Sequence, residues 1–386
     1  MTPLTFATTP FVVFEAGASK RLGKLAGKKL GRRVLLVTDP GLRKLGLCDS
    51  AIRSLEGEGA EVTVFDAVEA DPSLATLNKA VEAGRAASIS GVVGFGGGSS
   101  LDVAKLTALL VGSGEALDEA WGVANAKGPR LPLALVPTTA GTGSEVTPVS
   151  IITVGEEEKR GVSSPVILPD IAVLDAELTL GLPPAITAAT GVDAMVHAIE
   201  SYASTNANNN PLSKMLARQA LQLLGANIET AVHNGKDIAA RGAMLLGSML
   251  AGQAFANSPV AAVHALAYPI GGTFHVPHGL SNALVLPHVL RFNAPQAAHL
   301  YAEIAADAFP RLDAGEGAQG RCAAFIEELA SLSRRLGLPP RLRDVGIGEQ
   351  HLAKMASDAM KQTRLLVNNP RPLAEADALT IYRAAW

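Results

Sequence analysis

Val92-Val-Gly-Phe-Gly-Gly-Gly-Ser-Ser-Leu-Asp-Val-Ala-Lys105 runs from an apolar strand through three glycines into the start of a helix. Consecutive glycines let the backbone approach a bound group closely, and the N–H groups of a helix's first turn face that group. Ser99 or Ser100 is expected to cap the helix. The spacing is not Gly-x-Gly-x-x-Gly, because Ser99 stands where the last glycine would be, and no Gly-Lys-Ser/Thr follows to make a P-loop. A phosphate-binding turn and a plain tight strand-to-helix turn both fit the local pattern.

The flanking sequence repeats this grammar. Apolar runs at 34–37, 62–65, 91–94, 133–136 and 171–174 read as buried strands, with helical spacing between them, as at 74–87. Strands alternating with helices predict an α/β domain over residues 1–180, a doubly wound and mainly parallel nucleotide-binding sheet. Past Gly181-Leu182-Pro183-Pro184 the chain is rich in Ala and Leu and poor in β-branched runs. Residues 181–386 are therefore expected to form an all-helical domain that binds metal and substrate, with a cleft between the two.

Two more stretches of the first half carry chemistry. Residues 133–145 place Thr138, Thr139, Thr142 and Ser144 with two glycines after a buried strand, which brings many short donors to one spot. A serine- and threonine-rich surface loop has the same composition. Asp39 ends the first of the strands, where a carboxylate can take ribose hydroxyls and repel a 2′-phosphate; Thr38-Asp39-Pro40-Gly41 is equally a β-turn sequence.

The bulk properties exclude several classes. The 386 residues are 48% hydrophobic and 18% charged with a formal net charge of -3, so no basic surface draws the chain to nucleic acid or an anionic membrane. Cys48 and Cys322 lie far apart and outside any Cys-x-x-Cys spacing, which points to a reducing compartment, the cytoplasm. The N-terminus lacks the pattern of a signal peptide. From Gly242 to Leu290 there is no Asp, Glu, Lys or Arg, yet Asn257-Ser258-Pro259, Gly271-Gly272 and four histidines interrupt the stretch. With no clean span of ~20 apolar residues, it reads as buried helices rather than a membrane segment.

Those histidines matter because a buried imidazole needs a partner, and this stretch offers no carboxylate of its own. Asp193 and His197 stand at i and i+4 on one helix face, where they can share a divalent cation or simply pack. A helix expected from Ser258-Pro259 to Gly271-Gly272 puts His264 and Tyr268 on one face, with His278 following. Metal binding by Asp193, His197, His264 and His278 would satisfy all four, and three nitrogens with one oxygen suit Fe²⁺ or Zn²⁺. His275 can line the pocket or reach solvent. His288 reads as structural, and His233, His299 and His351 as surface residues; Glu200, three residues past His197, reads as part of a solvated helix face, with a partner to a metal ligand as the alternative.

Together these motifs resemble the iron-containing (group III) alcohol dehydrogenase family. The resemblance rests on residues 96–105, 137–147, 189–200 and 264–283 and covers nearly the full chain. It implies a dehydroquinate-synthase-like fold and hydride transfer between NAD(H) and a small alcohol or aldehyde, with Asp193, His197, His264 and His278 as metal ligands. It further implies that Gly97, Gly98 and Ser99 hold the NAD pyrophosphate, that Thr138, Thr139 and Thr142 line the cofactor, and that Lys159 contacts its ribose. Asp39 matches the position where an acid favours NAD over NADP, and a homo-oligomer is the usual state.

One position departs from the family pattern. Many members carry a proton-relaying histidine where this chain has Tyr268, so Tyr268 and His275 are the candidate catalytic residues. Tyr268 also occurs in branches resembling hydroxyacid–oxoacid transhydrogenases and 4-hydroxybutyrate dehydrogenases. The metal-free maleylacetate reductases lose ligand residues that this chain keeps. A lyase or phospho-substrate dehydrogenase on the same fold would need a cluster of Lys, Arg and Asn near the metal, and residues 242–290 supply none beyond Asn257 and Asn282.

Overall fold

A computed structural model describes residues 3–155, 158–313 and 317–386, which form two compact units. One comprises Ala7–Thr139 and Gly143–Leu180; the other comprises the residues before Ala7, the segment Ala140–Thr142 and Gly181–Trp386.

The first unit is an α/β layer structure. Its strands are β1 (Phe11–Phe14), β2 (Arg33–Val37), β3 (Glu61–Phe65), β4 (Gly91–Gly96), β5 (Gly122–Val123), β6 (Leu133–Pro137), β7 (Val149–Val154), β8 (Glu158–Ser163) and β9 (Ile171–Leu174). Six of them make an all-parallel sheet in the order β1-β9-β6-β4-β2-β3. Period-2 geometry sends alternate side chains to opposite faces, and both faces are covered. Leu35 and Val37 of β2 join one apolar cluster with Val92, Leu133 and Leu135, whereas Val34 and Leu36 join another with Val93, Ala134 and Val136.

β7 and β8 pair antiparallel, and with β5 they form a second, smaller sheet. Neither β1 nor this hairpin belongs to the five apolar runs read from the sequence. β1, Phe11-Val-Val-Phe14, is itself a continuous apolar run but an edge strand with Phe11 and Phe14 exposed, whereas β8 is Glu-Lys-Arg-Gly-Val-Ser and shows no such run.

A buried cation ties the two glycine-bearing loops together. Lys105, fully buried in the helix Gly98–Ser113, donates to Ser144 Oγ at 2.8 Å, Thr147 Oγ1 at 3.3 Å and the Val149 carbonyl at 2.7 Å. One turn earlier, Asp102 accepts from Ser144 Oγ and from the Ile151 N–H. The helix after the first loop is thus pinned to the segment leading into β7. Burial pushes the Lys105 ammonium down to about 8, against the pull of Asp102 and Glu145. Glu145 is buried beside it with Oε1 lacking a hydrogen-bond partner, and burial pushes its carboxyl up from 4.5 to about 7.

The second unit is helical. Its main helices are Pro184–Ala203, Pro211–His233, Ile238–Asn257, Ala262–Phe274, His278–Ala308, Gly317–Arg335 and Glu375–Ala385. Asn210 opens one of them with a capping box and Asp237 caps another through the Ala240 N–H. The charge-free residues 242–290 fall in three successive helices, and among the described residues no helix is long and apolar enough to cross a membrane. The helix read from Ser258 to Gly272 in fact begins at Ala262 and continues through Gly271-Gly272 to Phe274, where His275 adopts a left-handed conformation (φ 55°) and ends it. The Glu200 carboxylate occupies the N–H groups of Ala261 and Val263 at its start, which accounts for the later beginning.

A carboxyl whose folded pKa is raised favours folding at low pH, and that contribution fades as pH climbs through the folded value. The stability of the unsubstituted protein relative to Glu145→Gln should accordingly fall between pH 5 and pH 8. The full change is about 3 kcal/mol, at roughly 1.4 kcal/mol per pKa unit. Thermal unfolding of both proteins at the two pH values measures it, and a difference that does not move with pH would mean that Glu145 is not buried in its protonated form.

Candidate metal centre and nucleotide loop

Asp193 and His197 project from the helix Pro184–Ala203, His264 from Ala262–Phe274, and His278 from the first position of His278–Ala308. These helices meet because Gly279 has no side chain: a Cβ there would stand 2.4 Å from the Ala189 carbonyl oxygen and 3.2 Å from Asp193 Cβ. The close approach puts His278 beside Asp193. One ligand atom each of Asp193, His264 and His278 lies within 4.8 Å of the others, with Asp193 and His264 buried.

His197 stands next to this trio. Its ring stacks on His264 (centroids 4.7 Å apart) and on Phe255 (4.4 Å), and its Nδ1 lies 3.2 Å from the Gly141 carbonyl. A carbonyl only accepts, so Nδ1 carries the proton and Nε2 keeps its lone pair. Burial pushes the ring down to about 3, so His197 is neutral in neutral solution, the state a metal accepts. Burial works against the Asp193 carboxylate, but the three histidines and the Asn282 amide hold it below the usual carboxylate range.

Glu200 corrects the sequence reading. It is buried, not solvated, and Oε2 accepts from His264 Nδ1 at 2.7 Å while the two oxygens also take the Ala261 and Val263 N–H groups. The bond leaves His264 Nε2 as the free acceptor facing Asp193 Oδ1 at 3.9 Å, a carboxylate–histidine arrangement that raises ligand basicity. The signal was in the sequence: Glu200 falls one turn past His197, on the side of the helix that bears Asp193 and His197.

Asn282 has a place at the site that the sequence reading did not assign, and it tests whether the donor set suits a cation. Its Nδ2 stands 2.6 Å from Asp193 Oδ1 and 3.3 Å from the Nε2 atoms of both His264 and His278. An amide nitrogen has two protons for these three acceptors, and Asn282 Oδ1 is buried without a hydrogen-bond partner among the described residues. Acceptor atoms that converge in excess of the available donors fit a divalent metal ion.

The other candidates divide. Tyr268 shares a helix face with His264, its ring centroid is 6.2 Å from that of His278, and its hydroxyl accepts from Arg364 Nη2 at 3.0 Å. His275 is exposed and serves as the left-handed end of its helix.

In the α/β unit, Asp39 and the glycine turn lie at the carboxyl ends of β2 and β4. The chain runs from β2 to β3 on one side of the sheet and returns to β4 on the other, so these ends flank the topological switch point, where open α/β sheets bind ligands. Gly96 has φ 151°, and a Cβ there would meet Ser100 Oγ at 2.7 Å. The helix starts at Gly98 with Gly97 as its N-cap, and no side chain caps it, so Ser99 and Ser100 belong to the first turn instead of closing it. The first intrahelical bond runs from the Leu101 N–H to the Gly97 carbonyl. An uncapped helix N-terminus of this kind suits a pyrophosphate.

Around that turn, Thr138 donates its backbone N–H to the Gly96 carbonyl, and the Thr139 side chain lies 3.6 Å from where a Gly97 Cβ would be. Asp39 caps the short helix Pro40–Lys44 through the Leu42 N–H rather than making a β-turn. Lys159, on β8, pairs with Asp71. Thr142 is half-buried in the Ala140–Thr142 segment that folds with the helical unit.

Comparison with known proteins agrees along the whole chain. A family model described as iron-containing alcohol dehydrogenase matches residues 9–176, and one described as Fe-containing alcohol dehydrogenase family, C-terminal, matches residues 187–386. The chain is 43% identical over 369 residues to a long-chain-alcohol dehydrogenase of Geobacillus thermodenitrificans, covering 93% of this chain and 91% of that one. It is similar to the crystal structure of a 1,3-propanediol oxidoreductase with a TM-score of 0.95 at 34% identity, covering 100% of both chains. It is also similar to a sulfoacetaldehyde reductase from Bifidobacterium kashiwanohense solved in complex with NAD+, with a TM-score of 0.86 at 27% identity, covering 100% of this chain and 99% of that one.

Glu200→Gln keeps the shape but removes the charge that holds His264 Nδ1–H. Metal affinity, read by competition with a chromogenic chelator, should drop about 10- to 100-fold. Unchanged affinity would show that Glu200 does not orient the ligand.

Proposed function

Because the chain belongs to the iron-containing alcohol dehydrogenase family, and is thereby a metal-dependent alcohol and aldehyde oxidoreductase, we propose that it moves hydride between NAD(H) and a small primary alcohol or aldehyde at Asp193, His197, His264 and His278. The observation that carries this is the convergence of Asp193, His264 and His278 acceptor atoms on one point, with His264 held by Glu200. The donor set suits Fe²⁺ first, with Zn²⁺ as the alternative. A divalent ion supplies Lewis-acid polarisation of the substrate oxygen, and NAD(H) supplies or takes the hydride.

The residues do the rest. Glu200 and the Gly141 carbonyl fix the His264 and His197 tautomers, so that each ring presents Nε2. Phe255 on the face of His197 and the charge-free helices keep water away, which strengthens every electrostatic contact. Tyr268 Oη accepts from Arg364, so its own proton is left to donate toward the substrate oxygen. The N–H groups of Gly98 and Ser99 take the pyrophosphate at the Gly97 turn, Thr138, Thr139, Thr142 and Lys159 line the cofactor, and Asp39 accepts from ribose hydroxyls. Buried, unbonded Cys48 and Cys322 suit the cytoplasm, and the exposed edge strand β1 suits pairing in a homo-oligomer.

Protein purified without oxygen should carry about one Fe or Zn per chain and oxidise NADH with small aldehydes, losing activity on chelation. His264→Ala should lose both metal and turnover. Full activity without metal would overturn the reading and make these histidines substrate-binding groups.

Asp39→Asn keeps a good N-cap while removing the charge. The kcat/KM ratio for NADPH over NADH should rise by about tenfold. A constant ratio would confine Asp39 to its capping role.

A further inference from the structure

One cation stands a single side chain away from the metal-ligand cluster. Arg364 donates from Nη2 to the Tyr268 hydroxyl, and its guanidinium carbon lies 5.9 Å from the Tyr268 ring centroid. That ring is in turn tilted against His278. Arg364 is exposed, and among the described residues its guanidinium forms no ion pair and bonds to the Tyr268 hydroxyl. A neutral hydroxyl uses one of its five donors, and the planar fork is the group best matched to a carboxylate or sulfonate.

The charges around the site point the same way. The charges of Asp193 and Glu200 would be balanced by a divalent ion, and residues 242–290 contribute no charged side chain. Attraction for an anionic substrate therefore has to come from outside those helices, and Arg364 is placed to supply it.

We propose that Arg364 determines substrate specificity by binding the carboxylate or sulfonate at the far end of a short aldehyde or alcohol whose reacting oxygen sits at the Asp193–His264–His278 cluster. This rests on the oxidoreductase reading above and narrows its substrate class to ω-anionic aldehydes and their alcohols. Tyr268 lies between the two ends, its ring against the substrate's short methylene chain and its hydroxyl holding the guanidinium in place.

The test compares 4-oxobutanoate with its uncharged methyl ester in the metal-loaded holoenzyme and in Arg364→Gln and Arg364→Lys. It also measures binding of 4-hydroxybutanoate by titration calorimetry. In Arg364→Gln the kcat/KM ratio of acid to ester should fall about tenfold or more, chiefly through KM, and 4-hydroxybutanoate affinity should fall alongside it. Arg364→Lys should lie between, because it keeps the charge without the fork. The preference for the acid should weaken as salt rises. A ratio that stays constant, or equal losses on both substrates with unchanged 4-hydroxybutanoate binding, would overturn the inference and leave Arg364 as a support for Tyr268. Absence of any aldehyde turnover in the unsubstituted holoenzyme would instead overturn the oxidoreductase reading itself, and this inference with it.

Discussion

Asp193 and Glu200 lie two turns apart on one buried helix, and no lysine or arginine is among their described partners. An isolated carboxylate in such surroundings is expensive, so each must be met by donors or by a cation. Glu200 is met by two backbone N–H groups and by His264. Asp193 is met by the Asn282 amide and by a ring of histidines that have lone pairs to share. The organisation of the helical unit follows from that constraint. The start of the Ala262–Phe274 helix gives its first N–H groups to Glu200, and Gly279 allows the next helix close enough to add His278. The charge-free residues 242–290 add no carboxylate or cation that competes for the ligands.

The α/β unit solves a related problem with a cation. Lys105 is buried with Asp102 Oδ1 3.8 Å away, and its three hydrogen bonds reach a serine, a threonine and a carbonyl on one segment. The cost of burying the ammonium is offset by what those bonds hold: the helix after the glycine turn keeps its orientation to the 144–151 segment. The N-terminus of that helix is left uncapped by any side chain at the switch point. One unit thus concentrates side-chain ligands in a dry core, and the other presents backbone donors on a rigid sheet.

Between catalysis and specificity the division of labour is similar. The groups that set ligand tautomers are deeply buried, where their geometry is over-determined by packing. Arg364 is exposed and, among the described residues, its guanidinium bonds to the Tyr268 hydroxyl and to none of the four proposed ligands.

Much of this was legible in the sequence, for identifiable reasons. Strands covered on both faces are continuous apolar runs, so β2, β3, β4, β6 and β9 stood out, and the glycine turn after β4 announced a close backbone approach. Asp193 and His197 were visible through helical spacing, His264 and His278 through their isolation in a charge-free stretch. The β7–β8 hairpin was hidden because its strands carry polar or mixed faces, although the β-branched Val149–Val154 and the glycine after it were a usable hairpin signal, and β1, Phe11-Val-Val-Phe14, was a legible apolar run left unread. Partnerships between distant residues had no such signal. Glu200 with His264, Asn282 with Asp193, and Arg364 with Tyr268 join positions 64, 89 and 96 residues apart, and spacing along a chain carries no information at that range. The sequence by itself determined the α/β order of the first half, the helical character of the second and the residue types able to bind metal and nucleotide, because periodicity and local composition decide those. Only the tertiary structure decided which carboxylate meets which histidine, which helix ends stay open and which arginine bonds to Tyr268, because those depend on packing that brings remote segments together.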